Sequence, residues 1–245
     1  AVLLKANGAD PGWLVGGVPR DLPDSSSPGR SGGPFVIEGD EYDTAFFDKR
    51  SKFIHYAPHI AALNNLEFDH ADIFPDLAAI ETQFHHLVRT VPGSGLLLVN
   101  GREESLQRVL KRGCWTPVEQ FGGSTGWHLG EAGPDELAIC HEGRLVGRTR
   151  WQLLGEHNRL NALAVVAAAR HAGVDPRAAV EALADFRNVK RRMEVKGVAA
   201  GVTVYDDFAH HPTAIATTIA GLRTKIGKAR LIAVLEPRSN TMKQG

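Results

Sequence analysis

Two apolar runs that stop abruptly at polar side chains constrain this chain more than any other feature of it. Phe35-Val36-Ile37 ends at Glu38-Gly39-Asp40-Glu41-Tyr42-Asp43, and a second apolar stretch ends at Asn64-Asn65-Leu66-Glu67-Phe68-Asp69-His70. An unbroken apolar run reads as a strand buried on both faces, which is the habit of parallel sheets. Ligands in open α/β sheets bind beyond the carboxyl ends of the strands. The two ends therefore predict one shared site of oxygen and imidazole donors, suited to a metal ion and phosphate, and an enzyme is the leading expectation.

The rest of the chain supports that class. Pro75 opens a predicted helix with Leu77, Ile80, Phe84, Leu87 and Val88 on one face and with His85 and His86, read as surface or packing residues, near its end. Leu96–Val99 is a predicted strand, Glu103–Arg112 a helix, and Gly113 its left-handed stop. From Pro117 to Trp151 short alternating runs with a turn at Glu142-Gly143 predict antiparallel strands. Helices are predicted over Glu156–His171 and Pro176–Phe186, and a hairpin over Glu194–Ala199 and Val202–Tyr205, turning at Ala200-Gly201. A helix from Pro212 to about Arg223 and a strand Leu231–Leu235 follow. The fold class is α/β: a mostly parallel central sheet flanked by helices, a small antiparallel addition, and the start of a second, Rossmann-like α/β domain. The boundary falls at residue 188, giving domains 1–187 and 188–245. Residues 19–34, dense in Pro, Gly and Ser, predict a mobile loop.

Composition excludes several classes. Lys and Arg number 28 against 28 Asp and Glu, so no global field recruits nucleic acid or an anionic membrane. The longest apolar stretch, Ala162–Ala169, falls short of the roughly 20 residues of a membrane span. Cys114 and Cys140 carry no disulfide framework or zinc spacing and are expected to be buried and reduced, in the cytosol. The start at Ala1-Val2-Leu3-Leu4 gives the expectation that the true N-terminus lies upstream.

Glu38, a strand-end carboxylate beside Asp40, Glu41 and Asp43, is a candidate magnesium ligand, since such crowding of acids is tolerable around a cation. The alternative is a solvated strand terminus. His70, after Asp69 and with Asn65 at the strand end, is a second candidate; the alternative is a capping loop histidine. In Gly155-Glu156-His157-Asn158-Arg159-Leu160-Asn161 two amides face one way on adjacent turns and could read a base edge, although spacing alone favours helix capping by Asn158. Lys190-Arg191-Arg192 is either a solvated run or the source of a guanidinium for a transferring phosphate. Asp206-Asp207-Phe208-Ala209-His210-His211-Pro212 again joins a strand to a helix with dense polar groups. The one near match to a glycine-rich phosphate loop, Gly221–Lys228, ends in Ala229 and sits at a helix end, so any phosphate loop is expected upstream of residue 1.

Taken in order, Val36–Asp43, Asn65–His70, His157–Asn161, Arg191-Arg192-Met193-Glu194 and Asp206–Thr213 resemble the Mur ligase family, across nearly the whole chain. Glu41–Lys52 and Glu236–Lys243 resemble its peptide-recycling branch. The resemblance implies an ATP-dependent amide ligase of the bacterial cytoplasm. It would join UDP-N-acetylmuramate to the murein tripeptide L-alanyl-γ-D-glutamyl-meso-diaminopimelate through an acyl phosphate, with ATP and Mg2+ as cofactors. It also implies residues 1–187 as the central ATP-binding domain and 188–245 as the start of the C-terminal domain, both truncated, so that the fragment alone is inactive. Glu38 and His70 would hold magnesium and, with Arg192 and Asp207, serve catalysis. Asn65, His157, Asn158, Asn161, Arg192 and Asp207 would meet the nucleotide, and His210, His211, Arg238, Ser239 and Asn240 the peptide substrate. Many members place a modified lysine after the Asp-His pair, yet no lysine occurs between Lys52 and Lys111, so the second metal ion is left without an assigned holder. The alternatives are a UDP-N-acetylmuramate–L-alanine ligase, a metal-dependent hydrolase built on Glu38, His70 and Asp72, and a non-catalytic nucleotide-binding fragment.

Overall fold

Leu96, Leu97, Leu98 and Val99 are all 2% exposed or less, because the strand they form is covered on both faces. Alternate residues serve opposite cores: Leu96 and Leu98 join one cluster, Leu97 and Val99 the other. The computed structural model describes residues 1–237. Its first part contains α1 (Val2–Ala6), β1 (Gly12–Leu14), β2 (Ser26–Ser27), β3 (Phe35–Ile37), β4 (Asp43–Ala45), β5 (Asp48–Ser51) and β6 (Ile60–Leu63). There follow α2 (Leu77–Thr90), β7 (Leu96–Asn100), α3 (Glu104–Lys111), β8 (Val118–Phe121), β9 (Trp127–Leu129), β10 (Glu136–His141) and β11 (Arg144–Arg150). The last part holds α4 (Glu156–His171), α5 (Pro176–Ala182), β12 (Glu194–Ala199), β13 (Val202–Asp206) and α6 (Pro212–Ile226).

The central sheet has six strands in the order β11-β10-β9-β8-β7-β6, parallel from β6 to β9 and antiparallel from β9 to β11. One face packs against α4 and α5 through Phe121, Trp127, Leu137, Ile139, Leu163 and Val166. The other packs against α2 and α3 through Leu63, Ile80, Val88, Leu106 and Val109. Two of these helices open on a capping aspartate beside a proline. Asp76, directly after Pro75, accepts the Ala79 amide at 2.8 Å to open α2 at Leu77, and Asp175 with Pro176 opens α5. α4 spans the predicted residues, with Ala162, Ala164 and Ala167 letting it lie close on the sheet. Glu142 and Gly143 both have positive φ, 49° and 73°, which matches the tight turn of the β10–β11 hairpin.

Several expectations are corrected. β8 lies parallel to β7 rather than antiparallel, because α3 carries the chain back to the same end of the sheet before β8 starts. β3 is parallel, but to β1, in a separate three-stranded sheet ordered β2-β1-β3. Phe35 is 54% exposed there, its ring filling the space left by the missing side chain of Gly12. The Pro/Gly/Ser-rich segment is fastened: Leu22 is buried, and Pro19 bridges Val189. Cys114 and Cys140 are free, as expected, but only half-buried. Leu231–Leu235 forms no strand among the described residues, and Ile232 and Val234 are exposed. No helix is long and apolar enough to cross a membrane among the described residues.

Candidate active site at the strand ends

The parallel strands deliver their carboxyl ends to one region, and Asn100 ties that region together. It is 5% exposed at the end of β7, its amide donates to the Asn64 carbonyl at 2.9 Å, and its Oδ1 accepts from the Arg102 amide at 3.1 Å. Arg102 reaches the start of α4, its guanidinium 2.7 Å from Glu156 Oε1. Ser105 donates to the Leu66 carbonyl at 2.8 Å from within the buried side of the same loop. Asn100 and Arg102 belong to none of the motifs legible in the sequence. The available signal was a polar residue closing a fully apolar strand.

His70 has a positive φ of 54°, an uncommon conformation for a non-glycine residue and one that turns its ring toward the β3–β4 loop. Its Nε2 lies 2.5 Å from Glu41 Oε1, and its ring packs against Tyr42 with centroids 4.2 Å apart. The Tyr42 phenol is pushed up from its ordinary value by burial and then by Asp40, Glu41, Asp69 and Asp72, which records a local excess of negative charge. Glu38 stands apart: its Oε2 accepts the Gly16 amide at 2.7 Å, and no hydrogen bond or ion pair joins it to His70. Among the described residues no group of three or more His, Cys, Asp or Glu side chains is arranged to hold a metal ion. The chemistry of the donors nevertheless fits magnesium, which takes one or two carboxylates and fills its other positions with water and phosphate oxygens.

The second part of the chain closes over these strand ends. His211 caps α6 by accepting the Thr213 amide on Nδ1 at 3.3 Å, and its Nε2 meets the Phe68 carbonyl at 3.3 Å. That pair of contacts is satisfied by the Nε2–H tautomer. Thr213 Oγ1 donates to Glu67 Oε2 at 2.5 Å, and the Asn65 amide reaches the other Glu67 oxygen at 3.4 Å. Burial and the Glu67 charge push the neighbouring Glu103 carboxyl up. Asp207 accepts the amides of Met193 and Ala209, each at 2.8 Å, which fixes the turn between β13 and α6. The guanidinium carbons of Arg191 and Arg192 lie 5.0 and 6.0 Å from the Phe208 ring centroid. The His210 ring lies edge-on to the same phenyl group.

His157 joins the two parts. Burial pulls its pKa down, while Asp207 and Arg192 act on it in opposite senses, so both charges are close enough to be felt. Its Nδ1 is buried without a hydrogen-bond partner. Gly155, at φ 86°, gives the ring its place, since a Cβ there would lie 2.6 Å from His157 Cε1. Asn158 does not cap α4; it donates back to the Leu154 carbonyl at 2.7 Å, and Asn161 is exposed one turn on. The structure thus gathers Asn65, His211, His157, Arg192 and Asp207 at the strand ends, with His70 on the adjoining loop and Glu38 held separately by Gly16. Arg238, Ser239 and Asn240 lie outside the described residues.

Two family models match the chain. Residues 33–169 match the Mur ligase middle domain, and residues 191–244 match the Mur ligase glutamate ligase domain. The chain is similar to the UDP-N-acetylmuramate–L-alanyl-γ-D-glutamyl-meso-2,6-diaminoheptandioate ligase of Escherichia coli, 54% identical over 99% of this chain and 54% of that protein. It is also similar to the UDP-N-acetylmuramate–L-alanine ligase of Roseiflexus castenholzii, 32% identical over 98% of this chain and 53% of that protein. Among solved structures, a murein peptide ligase from Psychrobacter arcticus superposes with a TM-score of 0.76 at 41% identity, covering 98% of this chain and 54% of that one. The chain spans about half the length of the curated relatives it matches. Its middle-domain match alone covers more than half of its residues, and the chain belongs to the Mur ligase family.

Proposed function

We propose that the chain is the central part of an ATP-dependent ligase of peptidoglycan recycling, acting in the bacterial cytoplasm. It joins the muramoyl carboxylate of UDP-N-acetylmuramate to the amine of L-alanyl-γ-D-glutamyl-meso-diaminopimelate. The observation that carries this reading is the convergence of Asn65, His157, Arg192, Asp207 and His211 at the carboxyl ends of the parallel strands. The branch of the family is supported by 54% identity to the tripeptide ligase against 32% to the L-alanine ligase.

In this reading residues 1–187 carry the nucleotide-facing sheet and residues 188–245 begin a second domain that brings Arg192 and Asp207 to it. The carboxylate oxygen attacks the γ-phosphorus of ATP and ADP departs; the peptide amine then attacks the acyl carbon, and phosphate leaves with that oxygen. Magnesium ions, one at Glu38 and one separately at His70, would neutralise charge on the transferring phosphoryl group. Arg192 adds a guanidinium to the same task. Asn158 keeps Oδ1 available for an adenine amine because its NH2 group is bonded to Leu154, and Asn161 extends that edge by one turn. His210 and His211 would meet the incoming peptide, a role the family resemblance also gives Arg238, Ser239 and Asn240, which lie outside the described residues. Closure of the second domain over the strand ends keeps water from the acyl phosphate.

The test is ADP release by the full-length protein with UDP-N-acetylmuramate, ATP and magnesium, comparing the tripeptide with free L-alanine. Preference for the tripeptide supports the recycling ligase. Preference for L-alanine assigns the protein to the biosynthetic branch, and no ADP with either acceptor refutes the ligase reading.

A further inference from the structure

One short segment touches both Glu38 and the junction between the two parts of the chain. At one end, Gly16 gives its amide to Glu38 Oε2 at 2.7 Å. At the other, residues 18–21 clasp residues 187–194 side by side. Lys190 N–H donates to the Val18 carbonyl at 3.0 Å, Arg20 N–H donates to the Asn188 carbonyl at 3.2 Å, and Pro19 bridges Val189 in antiparallel fashion. Side chains lock the clasp. The Asp21 carboxylate takes the Arg187 backbone amide at 2.8 Å and the Arg187 Nε at 2.6 Å. Arg187 also donates to the Arg20 carbonyl, and Arg20 reaches back to Glu194 at 2.8 Å.

The clasped junction is conformationally demanding. Asn188, Arg191 and Met193 have positive φ of 70°, 59° and 52°, a region that side chains other than glycine enter at a cost. Such a backbone persists where its surroundings over-determine it, and here the surroundings are the strap, the Asp207–Met193 hydrogen bond, the Phe208 N–H donated to the Arg191 carbonyl at 2.8 Å and the Glu194 carboxylate that accepts the Arg191 amide at 3.0 Å. Arg192 lies within this stretch, so its place relative to His157 and Asp207 depends on what holds the stretch down.

We propose that Gly16–Asp21 is a positioning strap and that Asp21 is its anchoring residue, setting the junction that carries Arg192 in register with the Glu38 side of the site. The proposal rests on the ligase reading for its kinetic consequence and on geometry alone for its structural one. Asp21 touches no substrate; it acts through Arg187. Asp21→Asn keeps one acceptor oxygen and so strands one of the two Arg187 N–H donors, whereas Asp21→Arg strands both and sets a third guanidinium beside Arg20 and Arg187.

The test uses the full-length protein in four forms: wild type, Asp21→Asn, Asp21→Arg, and the reversed pair Asp21→Arg with Arg187→Asp. Hydrogen exchange of the amides of 188–194 is measured beside that of β7, which reports whether the fold is intact. Asp21→Arg is expected to speed exchange at 188–194 about fivefold with β7 unchanged, and Asp21→Asn by less. In the ADP-release assay Asp21→Arg is expected to lower kcat about fivefold with KM for UDP-N-acetylmuramate held within about twofold, and the reversed pair to recover most of the loss. Unchanged exchange at 188–194 in both single variants overturns the strap. So does a reversed pair no better than Asp21→Arg. A wild-type protein that releases no ADP overturns the ligase reading, and the exchange measurement then decides the strap by itself.

Discussion

At Gly221 the backbone of α6 comes up against the backbone that opens α4. A Cβ built on it would lie 3.0 Å from both Cα and N of Gly155 and 3.5 Å from the Leu154 carbonyl carbon. Carbon contacts settle at about 3.5–4.0 Å, so Gly221→Ala requires α6 to move off α4 by roughly half an ångström. These neighbours are backbone atoms, so no side chain can swing aside. Over-packing of this kind costs about 1–3 kcal/mol. Against it stands a gain of about 1 kcal/mol for replacing a helical glycine by alanine. The two effects fall on different equilibria. The gain stabilises α6 whether or not it is docked, whereas the cost is charged only to the docked state. Docking should therefore weaken by a factor on the order of ten or more while α6 stays helical. Thr213 lies about 12 Å further up α6, at about 1.5 Å of rise per residue, so the tilt also loosens its bond to Glu67. Hydrogen exchange by mass spectrometry is the assay. Faster exchange in the first turn of α4, with β7 unchanged, is expected; unaltered exchange at α4 would show that α6 does not depend on this close approach.

Two further perturbations address the chemistry. Glu38→Ala should lower kcat in the full-length ligase by about 10²-fold, the scale of losing one electrostatic stabiliser, with little change in stability because the Glu38 carboxylate accepts the Gly16 amide at an exposed position; an unchanged rate at saturating magnesium would remove Glu38 from the site. His157 makes stability depend on pH. Its folded-state pKa lies below the ordinary 6.5, so the unfolded chain binds the proton first as pH falls, and the stabilisation present above 6.5 is lost between 6.5 and the lowered value. Urea midpoints at pH 7.5 and 5.5 should fall further for wild type than for His157→Gln, and equal falls would contradict the burial argument.

What the sequence made legible was local. α4 begins and ends at the predicted Glu156 and His171, because a continuous small-residue face follows a glycine stop. The β12–β13 hairpin turns at Ala200-Gly201, where both residues have positive φ. Strand direction was less legible: alternation in Val118–Phe121 is the same for parallel and antiparallel pairing, and only the intervening α3 settles it. Leu231–Leu235 has strand composition but no partner among the described residues, and composition alone does not make a ladder. The site was legible as a set of strand ends but not as contacts. Arg187 and Asp21 are 166 positions apart, and Thr213 and Glu67 are 146 apart, distances over which no periodicity carries a signal. The isolation of Glu38 from His70 was equally hidden, since it follows from β3 pairing with β1 outside the central sheet.

The most direct measurement follows one oxygen. UDP-N-acetylmuramate labelled with 18O in the muramoyl carboxylate is turned over by the full-length protein with ATP, magnesium and the tripeptide, and the inorganic phosphate is analysed by mass. The account predicts one labelled oxygen in each phosphate released, because the carboxylate oxygen that attacks the γ-phosphorus departs with it when the amine takes its place. Phosphate free of label, with the amide still formed, would contradict activation as an acyl phosphate.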